Sequence, residues 1–205
     1  MNNKALYKLS YGLFVLTSSF DGKDNGCIIN TASQVTSSPN RISITMNKEN
    51  YTETMIKKSG KFNVSILSEK ATFDLYQHFG FQSGKEVDKF ANFSACRRST
   101  NGLYYITHGA NAYISAKVEQ TLDLGSHTMF IAIIEDMEIL NDDASATYAF
   151  YQSNIKPSFS NPTTNKKTVW RCTVCGYTYE DEELPEDYIC PLCKHPASDF
   201  ERIDV

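Results

Sequence analysis

Along most of the chain, apolar residues recur at every second position. Arg41-Ile-Ser-Ile-Thr-Met46 sets Ile42, Ile44 and Met46 against Ser43 and Thr45, Phe62-Asn-Val-Ser-Ile66 repeats the pattern, and so do Ala112, Ile114, Ala116 and Val118. A period of two marks a strand with one buried face. Met129-Phe-Ile-Ala-Ile-Ile134 is apolar at every position, which predicts a strand covered on both sides, at the centre of a barrel or at a subunit interface. Helical signals interrupt this pattern. Asn50-Tyr-Thr-Glu53 has the form of a capping box and Lys57, Lys58 and Gly60 that of a helix end, predicting a helix over 51–59. Ser68 opens a second helix that closes near Gly80, and a third begins after Asp142-Asp143 and carries Tyr148, Phe150 and Tyr151. A mainly β chain with isolated helices predicts a closed or split β-barrel with helical insertions.

From Lys156 to Lys167 the chain has two prolines, many small polar residues and almost nothing to bury, the composition of a linker. The chain therefore divides into a domain over 1–156, a linker over 157–167 and a small module over 168–205. Fully extended, such a linker reaches roughly 40 Å, enough for the module to visit its own body or a neighbouring subunit. Four of the six cysteines fall between Cys172 and Cys193, while Cys27 and Cys96 stand apart. This excludes a disulfide-rich secreted framework and points to a reducing, cytoplasmic setting. The amino terminus lacks the apolar core of a signal peptide, and no apolar run approaches membrane-spanning length, so no membrane partner is expected. The net charge of −4 divides into −6 over 168–205 and +2 over the rest. That balance argues against nucleic acid. The acidic module is either a solvated surface or one that docks on basic patches of a redox partner.

Cys172-Thr-Val-Cys175 and Cys190-Pro-Leu-Cys193 are two Cys-x-x-Cys pairs. Each can form a knuckle that places two thiolates on one metal, and together they complete a tetrahedral sulfur shell for zinc or iron. By spacing alone the two metals stand level. Trp170, Tyr177, Tyr179, Tyr188 and Phe200 add more aromatic bulk than closing a zinc knuckle requires, and rings packed around the sulfurs would limit water and tune a redox potential. The run from Cys172 through Gly176 to Tyr179, then Leu184-Pro-Glu-Asp187, Cys190-Pro-Leu-Cys193 and Asp199-Phe200-Glu201, closely resembles rubredoxins. The resemblance implies one iron held by Cys172, Cys175, Cys190 and Cys193, with a trimmed loop between the knuckles. A module this small should depend on its metal for folding.

A single iron exchanges one electron while nicotinamide delivers two, so a chain that couples them needs a flavin. No G-x-G-x-x-G or Walker loop is present, which excludes a Rossmann-type flavoprotein. Asn25-Gly-Cys-Ile-Ile-Asn-Thr-Ala-Ser-Gln-Val-Thr36, Ser38-Pro39, the strand to Met46, Asn47-Lys48, Ser83-Gly-Lys-Glu-Val-Asp-Lys-Phe90 and Leu124-Gly-Ser-His127 together resemble the flavin reductase-like FMN-binding family. Those proteins are dimeric split barrels, and the resemblance extends over roughly residues 5–155.

The resemblance implies that Asn30, Thr31, Ala32, Ser33 and Gln34 lie along the polar edge of the flavin ring. It implies that Asn47, Lys48 and Thr52 meet the phosphate at a helix N-terminus, where backbone amides favour an anion. There Glu53 opposes the anion unless it turns back as a cap. Lys89 and Phe90 match a position near the flavin, though a solvated lysine beside a core phenylalanine reads equally well. His127 matches a histidine near the face where nicotinamide docks. His78, His108 and His195 read as surface or core residues. Cys27 is either a cofactor contact or a small buried residue, and Cys96 has no assigned role. The order of a flavin barrel followed by an iron module resembles the high-molecular-weight rubredoxins of anaerobes. That family takes electrons from NAD(P)H on FMN and passes them singly through iron to a flavodiiron protein.

Overall fold

The structure is a computed structural model and describes residues 5, 8–157, 168–173, 177–181, 183–191 and 195–204. Cys175, Gly176, Cys193 and nearly all of the expected linker lie outside the described residues. The chain forms two compact units, Met1–Ile155 and Lys156–Val205.

The first unit is built on seven antiparallel strands. In chain order these are β1 (Phe14–Phe20), β2 (Lys23–Ile29), β3 (Ala32–Ser37), β4 (Asn40–Asn47), β5 (Lys61–Leu67), β8 (Ala110–Asp123) and β9 (His127–Ile139), with α1 (Tyr51–Ser59) and α2 (Phe73–Gly80) inserted on either side of β5. A separate two-stranded ribbon pairs β6 (Cys96–Arg98) with β7 (Tyr104–Ile106). The sheet order is β2-β1-β5-β8-β9-β4-β3. No ladder joins β2 to β3, so the two strands remain edges and the closed form of the expected barrel does not arise.

Alternation along β1 divides the interior in two. Phe14 and Leu16 enter a core with Ile42, Ile44, Ile56, Phe62 and Phe130, while Leu13 and Val15 face a second core with Leu75, Tyr76, Phe79 and Ile106. Thus α1 covers one face and α2 the other. Each fully buried large apolar side chain contributes about 1.5–3 kcal/mol.

The predicted helix over 51–59 forms with those limits. Asn50 caps it by accepting from Thr52 N–H at 3.0 Å, and Gly60, at φ 70°, donates to the Ile56 carbonyl at 2.8 Å. A left-handed residue at that place suits glycine. The capping box itself does not close. Glu53 is buried and accepts from the Thr128 hydroxyl at 2.5 Å and from Lys57 at 2.6 Å, instead of turning back to Asn50.

Two helix boundaries differ from expectation. The second helix begins at Phe73 and not after Ser68, because Ser68 N–H donates to Gly109 and Glu69 N–H to Ala144. The third is a single turn, α3 (Tyr148–Phe150), followed by a π-turn over Tyr151–Ile155. Its expected first residues are used in extended pairing, with Ser145 bridged to Ser68 and Thr147 to Gly12.

Strand β9 is not covered on both faces within this chain. Thr128, Phe130 and Ala132 are buried, while Met129, Ile131 and Ile133 are only half-buried.

The second unit pairs β10 (Thr168–Cys172) with both β11 (Thr178–Tyr179) and β12 (Phe200–Asp204), all antiparallel. Among the described residues, no helix is long and apolar enough to cross a membrane.

Candidate functional sites

Strand β4 organises the candidate site of the first unit, because both of its neighbours bring predicted residues to it. On one side, Ala32, Ser33 and Gln34 pair opposite Ile44, Ser43 and Ile42, and the Thr31 hydroxyl donates to the Thr45 carbonyl at 2.5 Å. On the other side, His127 pairs opposite Asn47. Thr31, Asn47 and His127, far apart in sequence, therefore meet at the C-terminal end of β4, while Ala32, Ser33 and Gln34 run back along it toward its start. Asn30 and Thr31 themselves lie in the connection before β3 and not on a strand. As an edge strand, β3 leaves its outward backbone groups without a ladder partner. These groups are donors and acceptors of the kind the rim of a flat heterocycle needs.

A polar cluster closes this end. Lys48 N–H donates to the Ser126 carbonyl at 3.1 Å, and its ammonium meets Asp123 Oδ1 at 2.5 Å. The Lys48 hydrogen bond, together with Gly125 N–H, holds the Asp123 carboxyl below its ordinary range. His127 is exposed, with Nδ1 2.8 Å from the Ser126 hydroxyl. Asn47 Oδ1 accepts from Glu49 N–H at 2.9 Å. Lys48 and Asn47 are accessible to an anion, but Asp123 competes for the lysine.

Thr52, Lys89 and Phe90 belong elsewhere. The Thr52 hydroxyl is fully buried and accepts from Asn25 Nδ2 at 2.9 Å. Lys89 is 3 % exposed, which excludes the solvated alternative, and its ammonium donates at 2.9 Å to both the Gly26 and Phe79 carbonyls. Burial lowers its pKa to about 8, partly offset by Cys27. The Cys27 thiol is pushed up by burial, against the opposing effects of Thr52, Lys89 and Asn50. Those two groups line a polar cavity of about 150 Å³ with Asn25, Asn50 and Ser83. Within it, Asn25 Oδ1 is buried without a hydrogen-bond partner. Phe90 stacks on Tyr104 at 4.7 Å, and Arg98 covers that tyrosine at 3.9 Å, so Phe90 packs within the protein. His78 sits half-buried, its ring stacked on Phe93 and Nε2 2.7 Å from the Lys89 carbonyl oxygen, as a core residue would.

A larger cleft of about 540 Å³ opens beside Asn30 and Thr31, with Tyr11, Tyr148 and Gln152 among its walls. Its size lies within the range of cofactor pockets. The edge amides of β3, this cleft and the Lys48 cluster offer the donors, space and cation that a flavin mononucleotide needs. Asp123 and the cleft-lining Tyr148 had escaped the sequence reading.

In the second unit Cys172 and Cys190 are fully buried. Cys172 N–H donates to the Tyr177 carbonyl and Cys190 N–H to that of His195, both at 2.8 Å. Each bond closes a loop over an equal stretch of chain, and each loop contains one Cys-x-x-Cys pair. Around them Tyr188 meets Tyr179 at 4.5 Å and the edge of Phe200 at 5.5 Å, and its hydroxyl donates to that of Tyr177 at 3.3 Å. Burial, followed by the Tyr177 contact, raises the Tyr188 pKa. Two fully buried thiols in matched loops beside aromatic rings fit a sulfur-held iron, for which the sequence supplies Cys175 and Cys193 as the further ligands.

Comparison with known proteins finds a family match in each unit. Residues 6–158 match the flavin reductase like domain. The chain belongs to the flavin reductase-like family. Residues 170–201 of this flavin reductase-like protein match the rubredoxin-like domain of rubrerythrin. It is 33 % identical to the high molecular weight rubredoxin of Moorella thermoacetica over 99 % of this chain and 100 % of that one. It is 39 % identical to the ferric-chelate reductase (NAD(P)H) of Archaeoglobus fulgidus over 74 % of this chain and 89 % of that one. The fold is similar to that of the NADH:FAD oxidoreductase SgcE6 of Streptomyces globisporus, with a TM-score of 0.63 at 19 % identity over 70 % of this chain and 84 % of that one. The protein is thus an oxidoreductase of the flavin reductase type with a rubredoxin-like module, and the expected flavin and cysteine-held iron agree with both family matches.

Proposed function

We propose that the first unit takes electrons from NAD(P)H on a bound FMN and that the second relays them singly to a protein acceptor, with a flavodiiron oxygen or nitric oxide reductase as the expected acceptor. The carrying observation is that one chain combines a flavin reductase-like body, in which residues 31–34 and His127 flank β4, with a module that buries Cys172 and Cys190 in matched loops. When bound, FMN supplies the exchange between two-electron and one-electron chemistry.

The chain's own residues bind and orient. The edge of β3 meets the ring, and Lys48 and Asn47 meet the phosphate. His127, exposed beside Asn47 and hydrogen-bonded to Ser126, borders the place where nicotinamide docks. Hydride transfer requires placement at that face more than acid–base help. The domain limits are proposed as 1–156 and 168–205. The half-buried row Met129, Ile131 and Ile133 beside exposed Leu122 supports a homodimer in which a second copy covers this face. We place the protein in the cytoplasm, where the thiolates stay reduced.

A test adds a flavodiiron protein to the loaded chain under NADH and follows oxygen consumption. The intact chain should support turnover and the Cys190→Ser variant should not; equal support by both would contradict the relay. A second reading, a reductase that delivers electrons to soluble flavin or iron chelates, is favoured by the similarity of the body alone to a ferric-chelate reductase. It predicts that turnover is indifferent to Cys190.

A further inference from the structure

Tyr148 occupies an unusual position for an aromatic residue. Its N–H donates to the Tyr11 carbonyl at 2.8 Å, Thr147 is bridged to Gly12, and the Thr147 hydroxyl accepts from Phe150 N–H at 3.1 Å. The backbone at this point is therefore tied to the segment entering β1. Tyr151, one turn on, is buried in the second core with its ring 4.6 Å from Tyr76. Tyr148 is held out of that core and is 42 % exposed. It lines the 540 Å³ cleft that Asn30 and Thr31 also line.

Part of the polar lining of this cleft is uncommitted, although the Thr31 hydroxyl is held by the Thr45 carbonyl. Among the described residues, the side-chain amides of Asn30 and Gln152 and the hydroxyl of Tyr11 make no hydrogen bond. This contrasts with the smaller cavity, where Lys89, Thr52 and Asn25 Nδ2 are already paired. An aromatic side chain on an anchored backbone, sharing a cleft with a few unpaired amides, is the kind of lining by which pockets take a flat heterocycle.

We propose that Tyr148 is a positioning residue for the flavin, its ring lying against the isoalloxazine that enters this cleft at the Asn30–Thr31 edge, with Asn30 and Gln152 hydrogen-bonding the heterocycle's rim. The inference rests on the FMN reading above and deepens it by naming an aromatic wall of the cleft that Asn30 and Thr31 share.

The test titrates FMN into the flavin-free full-length protein, its Tyr148→Leu variant and its Tyr148→Phe variant, following both the dissociation constant and the emission of bound flavin. A tyrosine in ring contact quenches flavin emission, whereas phenylalanine, which is harder to oxidise, stacks without quenching. Wild type should bind FMN in a dark state. Tyr148→Leu should bind about tenfold more weakly and leave the bound flavin emissive, since loss of one stacked ring is worth about that factor. Tyr148→Phe should bind within about threefold of wild type yet emit. Because Tyr148 lies outside both cores, the variants should melt with wild type. If Tyr148→Leu binds FMN as tightly and as darkly as wild type, the inference falls while the FMN reading stands. Equal weakening in both variants would trace the effect to the hydroxyl and overturn the ring contact. If wild type takes up no FMN, the FMN reading falls and takes the inference with it.

Discussion

Cys27 in the first unit and Cys190 in the second are both buried, yet their surroundings differ in kind. Cys27 lies on β2 in a core that includes Phe14, Leu16 and Phe62. Those residues hold the sheet together without help from the thiol, and burial pushes that thiol up, toward the unreactive form. Cys190 lies in a unit whose strands run from two to five residues, with Val169 and Phe200 as its buried apolar side chains among the described residues. So little apolar surface cannot offset the entropy of ordering the chain. The first unit can shape a site because its fold stands on packing, whereas the second must be folded by the group it holds.

The sharpest way to break this contrast is Cys190→Ser. Four-thiolate metal binding supplies on the order of 10 kcal/mol of folding energy, so the variant should lose its ferric visible bands and the protection of the amides in β10 to β12 against hydrogen exchange. The sheet β2-β1-β5-β8-β9-β4-β3 should keep its own protection. A second unit that stays protected without iron would show that packing suffices there too.

Lys89 sharpens the comparison from the other side, as a cation buried in the first unit. Its folded pKa, near 8, lies below the unfolded value of about 10.4. Between these values the unfolded chain binds more protons, so this group's contribution to stability rises with pH across roughly 8 to 10.4, by about 3 kcal/mol in total. Cys27, with its raised pKa, contributes an opposite slope, so the wild type must be compared with a variant. Denaturant midpoints for Lys89→Met should lack the rise; a variant that rises in parallel with wild type would mean Lys89 is not depressed.

Lys48→Ala has the smallest expected effect. The ammonium is already engaged by Asp123, and a partly exposed ionic contact is screened. FMN should bind about tenfold more weakly by the strength of a charge-assisted hydrogen bond, with no change in melting temperature. Unchanged affinity would remove Lys48 from the phosphate end.

The metal module was legible because ligand chemistry is written in local spacing: Cys-x-x-Cys needs only a turn to become a knuckle. Helix α1 was legible for the same reason, since Asn50 and Gly60 act on neighbouring residues. The flavin end was readable only in part. That Asn47 would stand opposite His127, and Thr31 beside Thr45, depends on the register of β4 against two other strands, which no local pattern encodes. Lys89 shows the limit most plainly. A lysine after an aspartate reads as a surface residue until two carbonyls, from β2 and α2, are found around its ammonium. The second helix closes at Gly80 as its sequence indicates but starts only at Phe73, because the Ser68 backbone bonds Gly109, forty-one residues away.

Whether these unlike units form one path is tested most directly by a visible spectrum of the FMN- and iron-loaded protein, recorded anaerobically before and after excess NADH. The relay predicts that the flavin band and the ferric thiolate bands both bleach, the iron losing its colour without any added mediator. Ferric bands that persist over a fully bleached flavin would contradict it.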